Sequence, residues 1–409
     1  NNIEKKFGIN EEVFIYRKDI YILLGKNSKA KNEIIKLINN YPDEIDFKRI
    51  LAEFYFSYGD IYKSIDVYNS ILFTYPDGLC HVGLFNCYRV LNLVDDVFKE
   101  LNIIIGSSDL SCEIKIKALV DAFKGSDESK EKFLRFYSLC EQLLVQYPSD
   151  PDVNNLFASF QLDMGNIDIA RTALINVVKI RPNSINTWKQ IISIDNSLSD
   201  WLSLYKHSTL AIENFPNFSF FYFFNGFSCF QLSKFKEAKK SLEFGLKILP
   251  KSDDMLVDFL SFLGEVNYKL GDKETAFSLF DSTLSVDPTN IMVLNNYSYY
   301  LSLDNENLSK ASKMSYMTIL KEPNNSTYLD TYAWILFKQQ NYSSALNYIV
   351  KAIENDKTNS YVIIEHYGDI LFFNGRVDEA VQQWKRALLI GGENNLLNKK
   401  IINSNYYTD

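Results

Sequence analysis

Eight of the chain's nine prolines recur at almost fixed intervals. Pro42, Pro76, Pro148, Pro182, Pro216, Pro250, Pro288 and Pro323 lie 34, 72, 34, 34, 34, 38 and 35 residues apart. The long interval is two periods of 36 with one proline missing near residue 112. A period in the thirties marks a solenoid, in which one supersecondary unit stacks on copies of itself. No linker rich in Pro, Gly, Ser or charge interrupts the 409 residues, so the chain reads as one continuous array.

The clearest unit is 257–290. Leu260, Leu263, Gly264 and Tyr268 fall on one face of a first helix, Gly271-Asp272 makes a turn, and Ala276, Phe280 and Thr283 mark a second helix before Asp287-Pro288. Proline after the second helix stops it and starts the next unit. The skeleton returns in 151–184 as Phe157, Ala158, Gly165-Asn166, Ala170, Leu174 and Pro182. In 219–252 it is Tyr222, Gly226, Ala238, Leu242, Gly245 and Pro250, and in 361–394 Ile364, Gly368, Gly375, Ala380, Trp384 and Ala387.

This skeleton resembles the tetratricopeptide repeat, with its small residue in the first helix, Ala opening the second, then an aromatic and a terminal Pro. The resemblance covers nearly all of residues 11–394. It implies an all-α, right-handed α-solenoid of about eleven helix-turn-helix units: 11–44, 45–78, 79–114, 115–150, 151–184, 185–218, 219–252, 257–290, 291–325, 326–359 and 361–394. Residues 1–150 are expected to hold the degenerate units, 151–394 the more regular ones, and 395–409 a capping helix and tail. Leu396, Leu397, Ile401 and Ile402 suit a helix that closes the core, and residues 406–409 are expected to fray. The pattern is weakest in 79–114, at 106–108, at 125–129, and in the turns 196–200 and 304–307.

The composition narrows the function. Net charge is −8 and the pI near 5.2, which weighs against nucleic acid, since phosphate binding needs clustered Lys and Arg. Cys80, Cys87, Cys112, Cys140 and Cys229 are odd in number and form no C-x-x-C pair, so they read as buried thiols. His81, His207 and His366 stand in separate units with no second His at ligand spacing, and no glycine-rich phosphate loop is present. No catalytic set, metal site or cofactor site is expected; the reading is a non-enzymatic scaffold.

In the resembled family, first helices line a concave groove that takes an extended peptide or partner segment. By phase with the small packing residue, Phe220, Phe223, Phe227 and Phe230 form one stripe of that groove. Further along, the groove positions are Asp258, Glu265, Asn296, Tyr300, Asp330, Trp334, Glu365, Asp369 and Phe372. An acidic, aromatic-lined groove suits a protein or peptide partner whose apolar segment carries Lys or Arg. The last three units, through Leu294-Asn295-Asn296-Tyr297, Tyr328-Leu329-Asp330-Thr331-Tyr332-Ala333-Trp334 and Glu365-His366-Tyr367-Gly368-Asp369, resemble tetratricopeptide lipoproteins of the bacterial, Bacteroidetes-type cell envelope. That likeness implies a periplasm-facing protein, with a membrane tether lost ahead of Asn1. A cytoplasmic location, a glycan- or peptidoglycan-binding receptor, the regulatory part of a larger enzyme, and self-association are the competing readings.

Overall fold

The computed structural model describes residues 11–124, 129–250, 252–391 and 394–408. They form 23 α-helices, and no strand occurs among the described residues. Contacts divide the chain into two compact units, one ending at Ile194 and one beginning at Asp195.

The first unit holds hairpins of α1 (Glu11–Leu23) with α2 (Asn27–Asn40), α3 (Ile45–Ser57) with α4 (Ile61–Leu72), α5 (Gly78–Val90) with α6 (Val94–Gly106), α7 (Cys112–Lys124) with α8 (Lys130–Gln146), and α9 (Pro151–Asp163) with α10 (Ile167–Ile180). Helix α11 (Ile185–Ser197) carries the division between the units. The second unit continues with α12 (Trp201–Asn214) and the hairpins α13 (Ser219–Gln231) with α14 (Phe235–Ile248), α15 (Leu256–Lys269) with α16 (Lys273–Val286), α17 (Ile291–Leu303) with α18 (Leu308–Lys321), α19 (Ser326–Lys338) with α20 (Tyr342–Asn355), and α21 (Tyr361–Phe373) with α22 (Val377–Gly391). Helix α23 (Asn395–Asn403) follows. These are the eleven expected repeats plus a closing helix, including two ordinary helices in the weak stretch 79–114. The expected irregularity at 125–128 and the residues Glu393 and Asp409 lie outside the described residues.

The prolines act where the period placed them. Pro42, Pro148, Pro182, Pro216, Pro250, Pro288 and Pro323 each stand two residues beyond the end of a second helix. The residue before each is driven out of the helical region, as in Arg181 (φ −122, ψ 70), Phe215 (φ −134, ψ 65) and Glu322 (φ −133, ψ 79). The proline carbonyls are then reused: Asn154, Trp188 and Tyr222 donate side-chain hydrogen bonds to the oxygens of Pro148, Pro182 and Pro216 at 2.8–3.0 Å. Each of these residues lies six positions after its proline, so the inter-repeat turn is pinned to the next first helix.

Within a hairpin, the small residue sets the helix separation. A Cβ on Gly264 would sit 2.5 Å from the Phe280 ring, on Gly226 2.5 Å from Leu242, and on Gly368 2.5 Å from Trp384. In all three pairs the partner is sixteen residues later, on the second helix. Ala238, Ala276, Ala311, Ala345 and Ala380 are fully buried at the equivalent place on the second helix. Core clusters run from hairpin to hairpin inside each unit, for example Phe98, Leu119, Phe136, Leu143 and Phe160 in the first.

Candidate partner-binding site

The first helices α13 and α15 bring together a row of half-buried rings. Phe227 lies 5.0 Å from Phe262 and 5.6 Å from Trp201, while Phe230 lies 6.3 Å from Phe262. Phe220 packs 4.7 Å from Phe224. Phe223 belongs to the interior instead: it is 8 % exposed and wedged against Phe259 and Phe262 at 5.2 and 5.6 Å. A first-helix residue four positions after the repeat start, such as Phe223, meets the next first helix before it meets solvent. The expected four-ring stripe is therefore three rim residues around a core residue, with Phe227, Phe230 and the core Phe223 joined by Phe262, which the sequence reading left out. Phe262 precedes Gly264 by two positions, as Phe224 precedes Gly226; that register was the available signal.

Asp258 stands one helical turn before Phe262 and is exposed, with no ion pair among the described residues. Partial burial by its surroundings pushes its carboxyl above the ordinary aspartate value.

The other expected acids are turned inward. Glu265 is 7 % exposed and accepts hydrogen bonds from Tyr300 Oη at 2.5 Å and Asn296 Nδ2 at 2.9 Å. Burial raises its pKa, and the Tyr300 and Asn296 bonds pull back against that rise. Burial and the neighbouring Glu265 carboxylate likewise push the Tyr300 phenol up, and the ring stacks on Tyr268. Asp330, 6 % exposed, faces His366 Nδ1 at 2.9 and 3.1 Å. Burial opposes the charged imidazole, but Asp330, with Asp369 and Glu365 nearby, holds His366 above its usual value. Trp334 is 7 % exposed, stacks 4.0 Å from His366, and leaves its indole N–H buried without an acceptor.

Asp369 and Glu365 meet a cation that the sequence reading did not consider. Lys400 of α23 places its Nζ 2.8 and 2.9 Å from the Asp369 carboxylate and 3.0 Å from Glu365. Trp384 Nε1 donates to the same Asp369 oxygen at 2.8 Å. Burial pushes the Asp369 carboxyl up to about 6 against the pull of Lys400. Phe372 is half-buried against Trp384. The open acidic groove expected from the sequence is thus replaced, from α15 onward, by buried polar rungs between consecutive first helices. Unpaired carboxylates under a tenth exposed would cost more than the helices can offset, so each finds a partner one repeat away.

The tail also departs from expectation. Residues 406–409 were expected to fray, yet Tyr406 packs edge-on against Phe373 at 5.0 Å and Phe337 at 5.9 Å. The histidines are not isolated either: besides His366, His207 faces Asp195 at 2.6 Å and His81 faces Glu100 at 2.7 Å. No group of three potential metal ligands occurs among the described residues, and no described helix is long and apolar enough to cross a membrane. The described cysteines are free, and burial raises the Cys80, Cys140 and Cys229 thiols to about 12, 12 and 11.

No curated protein is matched by the sequence. Among solved structures, the chain is similar to the APC/C hetero-tetramer Cut9–Hcn1, at 12 % identity over 97 % of this chain and 96 % of that one, with a TM-score of 0.51. It is also similar to yeast Tom70, at 15 % identity over 98 % and 94 % of the two chains, with a TM-score of 0.41. Residues 231–390, from the end of α13 to α22, match the family described as tetratricopeptide repeat, and the fold around them is a tetratricopeptide-type helical solenoid.

Proposed function

We propose that the chain is a non-enzymatic scaffold that holds a partner protein on the first-helix face of its second unit. The carrying observation is the ledge of Phe220, Phe227, Phe230 and Phe262 beside Asp258, the exposed acid among the expected groove positions, which has no ion pair among the described residues. Half-buried rings next to a lone carboxylate suit an apolar segment with one Lys or Arg: the rings supply most of the affinity, the charge pair orientation. The fold supports this reading, since stacked hairpins offer an extended surface without needing a catalytic centre. The likeness of the last three units to envelope lipoproteins supports a place in a bacterial cell-envelope complex.

A photo-crosslinking residue at Phe227, introduced in the native cell, should capture a discrete partner that the same residue at Phe244, on the second helix α14, does not. Asp258→Lys should cut that capture at least five-fold while leaving the helical circular dichroism unchanged. Equal capture from both positions, or no response to Asp258→Lys, would refute the assignment of this face. A glycan site would need an aromatic ring free to stack on a sugar, and the Trp334 ring is enclosed rather than offered to solvent.

A further inference from the structure

Helix α23 does more than close the end of the core. A cap needs only apolar cover, and Leu397, 1 % exposed, supplies it against Ile364, Leu371 and Trp384. Yet the same short helix buries an ammonium: Lys400 is 2 % exposed and bonded to both Asp369 and Glu365. A buried ion pair is seldom more stabilising than well-packed apolar residues of the same size, so this one points to selectivity rather than to strength.

The chain then reverses. Ser404 adopts the left-handed conformation (φ 48), and the Asn405 N–H bonds back to the Lys400 carbonyl at 3.2 Å. This turn lays Tyr406 across Lys400, 5.2 Å from Nζ, and onto two rings of different hairpins, Phe373 of α21 and Phe337 of α19. Tyr342, at the start of α20, stacks on Phe373 at 4.9 Å and completes the slot. The segment therefore reaches a full repeat behind the helix pair it caps. Its chemistry, an amphipathic helix with a buried lysine and an aromatic ring six residues on, is that of a ligand for an acidic, aromatic face.

We propose that residues 395–408 are a tethered ligand of a peptide site on α19, α20 and α21. Once the tether is released, the site takes a partner segment presenting a lysine and, six residues later, an aromatic ring. Glu365 and Asp369 receive the ammonium, and Phe337, Phe373 and Tyr342 receive the ring. A tethered segment acts at an effective concentration near the millimolar range, so an external segment sees only the fraction of molecules with the tether open. The device sets a threshold for partner entry. It does not depend on the ledge of α13 and α15.

The test uses the full chain and a fluorescent peptide of its own residues 394–408, read by anisotropy. Lys400→Ala with Tyr406→Ala empties the site, and this variant should bind the peptide at least ten-fold more tightly than the parent chain. A peptide with Ala at both key positions should lose that gain. If the double variant keeps its helical circular dichroism but binds the peptide no better than the parent, the segment is a cap alone and the proposal fails. Should the double variant lose helix, Tyr406→Ala alone keeps the Lys400–Asp369 pair; a gain of three-fold or more supports the proposal, and no gain overturns it. Phe227→Ala with Asp258→Asn should leave the peptide's binding unaltered, which separates this site from the ledge.

Discussion

At the scale of single residues, the second unit buries ionisable groups, Asp369 and His366, that hold their protons to higher pH than usual. Asp369 titrates near 6 because burial outweighs Lys400, and it is faced by Lys400 and Tyr406 from the C-terminal segment, Trp384 from α22, and His366 and Glu365 from its own helix. Its folded value lies above its unfolded one, so the folded state binds more protons between those values and is relatively stabilised as pH falls. His366 is also raised, so its contribution is complete below about 6.5 and fades as pH climbs through its folded value. Both act in the same direction. Thermal melting of the second unit should therefore gain stability on going from pH 8 to pH 5, and Asp369→Asn should flatten the slope by on the order of 1–3 kcal/mol across the window. A melting temperature that falls over this range in the parent, or a slope untouched by the substitution, would contradict the assignment. None of this could be read from the sequence. Asp330 and His366 are 36 positions apart, and Asp369 and Lys400 are 31; which of several polar residues on a first helix faces its neighbour depends on helix rotation, which a repeat pattern does not specify. Counting all the acids as groove residues ignored the cost of leaving any of them buried alone.

At the scale of elements, the hairpin turn is one backbone shape made with several residue types. Every described turn inside a hairpin holds a residue at positive φ: Gly25, Gly59, Gly165, Gly271 and Gly375 in five, and Asn92, Ser199, Ser233, Asn305 and Gln340 in the others. Glycine tolerates that shape because it lacks a Cβ, whereas Ser233 and Gln340 hold it against a steric penalty of roughly 1 kcal/mol. Ser233→Gly and Gln340→Gly should each stabilise the second unit by about 0.5–1 kcal/mol, and Gly271→Ala should destabilise it by a similar amount, measured by urea melts with unchanged slope. Destabilisation by both glycines would mean that the side chains, not the turn, hold the conformation. The turns explain why the repeats were legible. Proline, the turn glycine and the small packing residue each meet a local constraint within one hairpin, so their spacing survives where the rest of the sequence varies. The stretch 79–114 lost its proline and still folds as a hairpin, because Asn92 supplies the turn and Phe85, Phe98 and Leu101 supply the core.

At the scale of the whole molecule, the hairpins of the second unit pack mainly on their neighbours in sequence among the described residues. Stability in such an array is a sum of repeat terms and nearest-neighbour interfaces, so damage should stay local. Leu242 offers a direct probe. It is fully buried in α14, directly under Gly226 of α13, and its cluster reaches Phe259 and Leu263 of α15. Leu242→Ala removes buried volume at a close helix contact and should cost about 2–5 kcal/mol in its own hairpin. Amide hydrogen exchange should then quicken in α13 to α16 and remain slow in α19 to α22, whose cores of Ala333, Ile349, Ile364 and Trp384 share no residue with the damaged cluster. Uniform acceleration from α13 to α22 would show a single cooperative body. It would also remove the physical basis for two independent faces, since a substitution at one would then disturb the other through the shared core.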